Sequence, residues 1–148
     1  MIYHRTIIDV ADNTGALKVL CIKVLRTKYN RGSIGCKVIT CVKRYIANKK
    51  VKKGEIKLGI LIRQRSPLHR PNGTTVRFLD NSIVFVDKKN NPIASRIFGP
   101  VTQELRSKQC MKIISMAILH CIQISEIIFL QFINCIIRRP GGNGHISK

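Results

Sequence analysis

Residues 56–65 alternate strictly. Ile56, Leu58, Ile60 and Ile62 fall on one face, and Lys57, Gly59, Leu61 and Arg63 fall on the other. Successive side chains of a strand point to opposite sides, so a period of two over this length predicts a strand with at least one face in a core. Shorter runs of the same kind, rich in Val, Ile, Leu and Thr, occupy 6–10, 18–25, 36–46, 76–78 and 83–86. Turn residues separate them: Asp12-Asn13-Thr14-Gly15, Asp80-Asn81 and Asn90-Asn91-Pro92. The run 18–25 reads as apolar on both faces, as in a closed sheet. Gly59 inside its strand predicts a bend or a close approach by another backbone. No long helical pattern precedes Pro100, which disfavours alternating strands and helices. Five or six short strands at this spacing point to a small β-barrel.

Two segments between these runs are strongly basic. ANKKVKKG (47–54) sets Lys49, Lys50, Lys52 and Lys53 around a single valine and ends at glycine. It reads either as a solvated turn or as a phosphate contact, and the charge of the whole chain favours the second by about two to one. RSPLHRPNGTT (65–75) contains Asn72-Gly73, a strong hairpin signal, because the favoured two-residue turn puts both central residues at positive φ. Arg63, Arg65, His69 and Arg70 lie on the arm leading to it, and Arg77 lies on the return. Such a hairpin suits a rigid finger for nucleic acid, or else a charged edge that resists aggregation.

SRIFGPVTQELRSK (95–108) marks a change of structure. Pro100 suits the first position of a helix, where its missing N–H would have no partner anyway. Val101 and Leu105 then fall one turn apart, and Glu104 is placed to reach Lys108 across i,i+4. Arg96 and Arg106 flank the break.

The chain carries 27 Lys and Arg against 7 Asp and Glu, a net charge of +20. Such an excess speaks of partners rather than of fold, and a polyanion relieves the self-repulsion it creates. Acids are too few for general acid–base work or a magnesium site, and none of the usual nucleotide, hydrolase or zinc-protease motifs occurs. The six cysteines form no C-x-x-C pair and sit among aliphatics, so they read as small buried hydrophobes in a reducing compartment. The opening MIYHRTIIDVAD has acids and no apolar core, unlike a signal or transit peptide. With no tryptophan and few aromatics, stacking of single-stranded bases is not expected. The chemistry that remains is a phosphate-binding surface on a β scaffold, without catalysis and without a metal or other cofactor.

Several blocks together carry a family resemblance: VADNTGA (10–16), CIKVL (21–25), VKKGEI (51–56), RPNGTTVRF (70–78), RIFGPVTQELRSK (96–108) and MKIIS (111–115). In one register from Met1 to about Ala117, the chain closely resembles the universal large-subunit ribosomal protein numbered fourteen, in its bacterial and organellar form. The resemblance implies a mainly β fold, a five-stranded barrel with a projecting β-ribbon and short C-terminal helices. It also implies binding to 23S-type rRNA near the subunit interface, bridges to small-subunit rRNA, and contacts with neighbouring large-subunit proteins. The expected rRNA contacts are Lys18, Arg44, Lys49, Lys50, Lys52, Lys53, Arg63, Arg65, Arg70, Arg77 and Arg106. The family surface that docks a ribosome-silencing factor matches Ser95, Arg96 and Lys112, with serine in place of the family's threonine. The loop 26–36 departs from the family sequence, with Gly35-Cys36 where Gly-Asp is usual, and 46–48 lacks a customary proline. The other reading is a free-standing RNA-binding translation or assembly factor on a similar barrel.

Members of that family end soon after the position of Ala117, whereas this chain runs on through 118–148. Residues 118–137 are long enough for a membrane span. At about 100° per residue, however, His120, Gln123, Gln131, Asn134 and Arg138 cluster on one stripe, which predicts an amphipathic helix followed by a flexible tail. A helix docked on a neighbour ranks first, a passively carried extension second, and a membrane tether third. The Ile-, Lys- and Asn-rich drift suits an organelle-encoded protein of the mitochondrial ribosome, with a bacterial cytoplasm or a plastid as alternatives.

Overall fold

A computed structural model describes residues 1–27 and 29–121. The strands follow the apolar runs closely. β1 (Ile7–Val10), β2 (Ala16–Val24), β3 (Lys37–Tyr45) and β4 (Ile56–Arg63) come first. The short pair β5 (Leu68–His69) and β6 (Thr75–Val76) follows, and then β7 (Ser82–Phe85). β1-β2-β3-β4-β7 form a closed barrel in that order. Every barrel contact is antiparallel except the closing one, where β1 runs parallel to β7 with Asp9 opposite Ser82. This five-stranded barrel is the architecture expected, and β5-β6 forms a separate two-stranded ribbon.

Asp12 is why the first turn is tied to the far side of the barrel. One of its carboxylate oxygens accepts the Thr14 N–H at 2.9 Å and the Thr14 hydroxyl as well. The other oxygen accepts the Phe85 N–H at 2.9 Å. A residue that reads as local turn chemistry is thus also a long-range fastener, and its buried charge has the donors it needs.

β7, and β4 from Gly59 onward, are buried on both faces and divide the protein into two cores. Leu61, Ile83 and Phe85 point into the barrel, among Ile2, Ile8, Val19, Cys21, Val24, Val38 and Val42. Ile60, Ile62, Val84 and Val86 point outward into a second core with Phe78, Ile97, Val101, Leu105, Ile113 and Ile114. Gly59 is a close approach, but chiefly by a side chain rather than by a backbone: a Cβ there would lie 2.9 Å from the Ile83 Cδ1 and 3.4 Å from the Val84 carbonyl. β2 is less buried than expected: its inward residues fill the barrel, but Leu20 and Ile22 remain half-open on the outer face. Among the cysteines, Cys21 and Cys110 are buried, and Cys36 and Cys41 are half-buried. Desolvation pushes the Cys21 and Cys110 thiols up in pKa, in keeping with inert packing residues.

The second core is covered by β8 (Ile97–Thr102), α1 (Glu104–Ser107), α2 (Met111–Met116) and β9 (Ala117–Cys121). Here the structure corrects the sequence reading. Gly99 and Pro100 lie inside β8, and the helix starts at Glu104 rather than at Pro100. Pro100 lies next to an irregularity, since the β8-β9 register slips between Ile97 and Pro100, the kind of place where strands admit proline. β9 pairs parallel with β8, placing Leu119 opposite Pro100 and Cys121 opposite Thr102. The helix expected from residue 118 is therefore not helix over its first four residues. The rest of that expectation, with the docked, passive and membrane alternatives, lies outside the described residues.

Arg63 joins the two cores, and Gly99 makes room for it. Arg63 is only 8% exposed, and a Cβ at Gly99 would overlap its guanidinium. Gly99 also sits at φ +84°, a region that L side chains rarely adopt. Gly99→Ala should cost about 2 kcal/mol, from the forced left-handed backbone and from displacement of the arginine. Urea unfolding of the purified protein measures this, and a loss below about 0.5 kcal/mol would show that the strand yields instead.

Candidate nucleic-acid interface

The lysine loop after β3 is pinned rather than loose. Val51, its one apolar residue, is 2% exposed and belongs to the barrel core. The Gly54 N–H donates to the Val42 carbonyl at 2.9 Å, and the Lys52 N–H donates to a Glu55 carboxylate oxygen at 3.2 Å. Glu55 in turn pairs with Lys57 at 2.7 Å. The Lys57 hydrogen bond, then the Lys52 N–H, hold the Glu55 carboxyl below its usual range. Lys49, Lys50, Lys52 and Lys53 are all exposed around this anchored valine. On the adjoining strands Lys18 is registered opposite Arg44, and both are exposed. Lys18 also meets Asp9 at 3.6 Å, an exposed pair that holds it only weakly.

The hairpin forms where Asn72-Gly73 predicts it, but with a different turn. Gly73 is at φ +80° and Asn72 is not at positive φ. The Gly73 N–H donates to the Arg70 carbonyl at 3.1 Å, and the Arg70 N–H donates to the Thr74 carbonyl at 2.9 Å. Pro71 opens this loop, and a glycine follows in the left-handed region, the pattern of a three-residue hairpin loop rather than a two-residue one. Arg65 and Arg77 are exposed on the two arms. The Arg65 backbone is fixed by its N–H to the Asn81 side chain at 2.8 Å.

Two of the expected phosphate contacts turn inward. Arg63 spends all five donors inside the protein. Its Nε reaches both Asp80 oxygens at 3.0 and 3.2 Å, and its Nη1 the Phe98 and Pro100 carbonyls at 2.8 and 3.3 Å. Its Nη2 donates to the Ser82 hydroxyl at 3.0 Å and meets Asp80 at 2.9 Å. No N–H remains to offer a phosphate. Arg70 pairs with Glu104, so that Glu104 anchors the hairpin to α1 instead of reaching Lys108. Burial alone would raise the Glu104 carboxyl. The Arg70 hydrogen bond and charge, with a backbone hydrogen bond, outweigh it and leave the pKa lowered.

A depressed folded-state pKa means a contribution present above the unfolded value and lost as pH falls through the folded one. The wild-type protein should therefore lose stability relative to Glu104→Gln as pH drops below the ordinary value of 4.5. Thermal melts of both proteins between pH 6 and pH 3 measure this, and parallel curves would remove Glu104 as the source.

The remaining positions sit around the second core. Arg106 is exposed on α1. Ser95 and Arg96 are exposed just before β8, and Lys112 is exposed on α2 with its ammonium donating to Asn91 Oδ1 at 2.7 Å. Ile97 and Ile113, the neighbours of Arg96 and Lys112, share one core. The sequence reading missed that Phe98 (47% exposed) and Met111 (51%) present apolar surface on the same two elements. An aromatic beside a basic residue at a strand end was the available signal. Among the described residues, no cluster of His, Cys, Asp and Glu is arranged to hold a metal ion.

A closed five-stranded barrel, a basic ribbon pinned to a short helix and an anchored lysine loop thus recur in one chain. Comparison with known protein families gives the same answer over the whole described fold. The family model for ribosomal protein L14p/L23e matches residues 1–121. The chain belongs to that family of large-subunit ribosomal structural proteins.

Proposed function

We propose that the protein binds 23S-type rRNA close to the subunit interface and takes part in bridges to small-subunit rRNA. The observation that carries this is the outward display of Lys18, Arg44, Lys49, Lys50, Lys52, Lys53, Arg65, Arg77 and Arg106 on a scaffold whose loops are internally fastened. Anchoring matters because a fixed cation loses little side-chain and loop freedom on meeting a phosphate. The mechanism is neutralisation of several phosphates at once, with recognition of A-form shape rather than of base edges. Replacing Lys49, Lys50, Lys52 and Lys53 together by Gln should flatten the salt dependence of rRNA-fragment binding by about 0.7–0.9 per lost phosphate contact. An unchanged slope would take the loop out of the interface. Retention on large subunits through a moderate salt wash separates a resident protein from a free-standing factor, which would be released.

Ser95, Arg96 and Lys112 form the proposed contact for a ribosome-silencing factor or a neighbouring ribosomal protein, with Phe98 and Met111 supplying apolar area. Reversing charge at Arg96 and Lys112 should weaken capture of the factor about tenfold or more, while rRNA binding through the lysine loop persists. Equal loss of both would assign these residues to RNA instead. The proposed compartment is the mitochondrial matrix, on the Ile-, Lys- and Asn-rich composition, and the proposed role of 118–148 is docking on a neighbour. Deleting 122–148 and measuring subunit assembly and membrane association tests that role.

A further inference from the structure

Two short segments that the lysine-loop surface does not include meet at one end of the barrel. Ile2 and Gly32 form an antiparallel bridge, Ile2 N–H to Gly32 carbonyl at 3.0 Å and the reverse bond at 2.7 Å. Ile2 is fully buried in the barrel core, so the N-terminal segment is held in place. Residues flanking an antiparallel bridge oppose one another in reverse order, which sets Tyr3 beside Arg31. Tyr3 is 48% exposed and Tyr29 is 71% exposed. His4, Arg5, Arg26 and Arg31 are exposed on the same two segments. Neither 1–6 nor 25–35 contains an acid, and the ion pairs among the described residues leave out all three arginines.

The backbone here is also unusual. Arg5, Arg26 and Asn30 lie at φ +64°, +58° and +51°, and arginine gains nothing local from that region. The Arg5 conformation is held by its N–H donating to the Cys21 carbonyl at 2.8 Å. Such outliers persist where surrounding bonds over-determine them, and they gather at binding sites.

An exposed tyrosine ring flanked by unpaired cations suits a flat apolar partner that carries anions. Bases within a duplex are stacked on their neighbours and offer no free face. Bases in loops, bulges and ends do. An acidic protein segment would satisfy the arginines but leave the rings without a flat partner. We propose that Tyr3, Arg5, Arg26, Tyr29 and Arg31 form a site for unpaired RNA nucleotides, the tyrosines stacking on bases and the arginines holding the phosphates. On this proposal two tyrosines supply a stacking surface despite the absence of tryptophan. It deepens the rRNA-binding reading and rests on it.

The test titrates full-length Tyr3→Ala and Tyr29→Ala proteins with a single-stranded RNA oligonucleotide and with a blunt RNA duplex of the same length, at fixed salt. Each change should lower single-strand affinity about 5- to 150-fold and leave duplex affinity within about twofold, because stacking acts only on free base faces. Tyr3→Phe and Tyr29→Phe should bind as the wild type does. Arg5→Gln, Arg26→Gln and Arg31→Gln should each lower the single-strand salt slope by about 0.7. Single-strand binding unaffected by either alanine, equal losses on duplex and single strand, or competition by an acidic peptide as effective as that by RNA would each overturn the site. Salt-dependent duplex binding with silent tyrosines would overturn it while leaving the rRNA-binding reading intact. Failure of the wild type to bind either RNA would overturn both.

Discussion

An Arg63→Met protein should unfold with about 3 kcal/mol less stability than the wild type. Removing one member of a buried pair strands the other, and the usual loss is about 3–5 kcal/mol. The lower end applies because the Asp80 side chain is 37% exposed and partly rehydrates. Besides Asp80, the substitution leaves the Ser82 hydroxyl and the Phe98 and Pro100 carbonyls without this donor. Methionine fills much of the volume, so the measured loss reports polar connectivity rather than a cavity. Arg63→Lys should recover less than half of it, since one ammonium cannot span Asp80, Ser82 and two carbonyls on β8. Urea titration with constant m-values measures both variants. A loss under 1 kcal/mol for Arg63→Met would mean that β8 is held by its apolar face alone. Stability of the isolated protein is the right readout here, because a phosphate-contacting arginine would leave it unchanged and alter RNA affinity instead.

Phe85→Ala should be comparably severe, at about 3–5 kcal/mol, the range for truncating a fully buried aromatic. Phe85 is 0% exposed and lies in the barrel core with Leu61 and Ile83. Its backbone N–H also donates to the Asp12 carboxylate, so its main chain joins β7 to the first turn while its side chain fills the barrel. The substitution keeps that hydrogen bond and isolates the packing contribution. Phe85→Leu should retain more than half of the stability that alanine loses, because a barrel interior tolerates near-isosteric apolar exchange better than a void. Thermal and urea unfolding of the two variants decide this, and a loss below about 1.5 kcal/mol for alanine would show that the barrel collapses onto the gap.

The barrel was legible because its strands keep a period of two and its turns use Asp, Asn and Gly. The strict alternation of 56–65 returned as β4 with the predicted facing, and Gly59 returned as a contact point against Ile83. Local grammar failed where tertiary contacts decide. Pro100 carries the helix-start signature, yet Gly99 at positive φ over Arg63 and the slipped β8-β9 register keep the chain extended until Thr102. Arg63 and Arg70 read as surface cations because nothing near them in sequence reveals Asp80 or Glu104, 17 and 34 residues away. The lysine loop was legible in composition, but its anchoring by Val51 was not. A lone valine among lysines looks incidental until its burial is known. The tyrosine-arginine end went unseen because only the Ile2-Gly32 bridge brings residues 1–6 beside the loop after β2.

The parallel contact between β1 and β7 has a consequence for how the chain is made. Asp12 and Phe85, which fasten that closure, are 73 residues apart in sequence. At about 5–20 residues per second, a ribosome needs about 4–15 s to add the second partner after the first. Until β7 is made, β1 and, once it has been synthesised, β4 present open edges. Non-local pairing is slow to form even once every partner exists. The interval before the barrel closes is therefore the period in which this nascent chain is most exposed to aggregation and has most need of a holding chaperone.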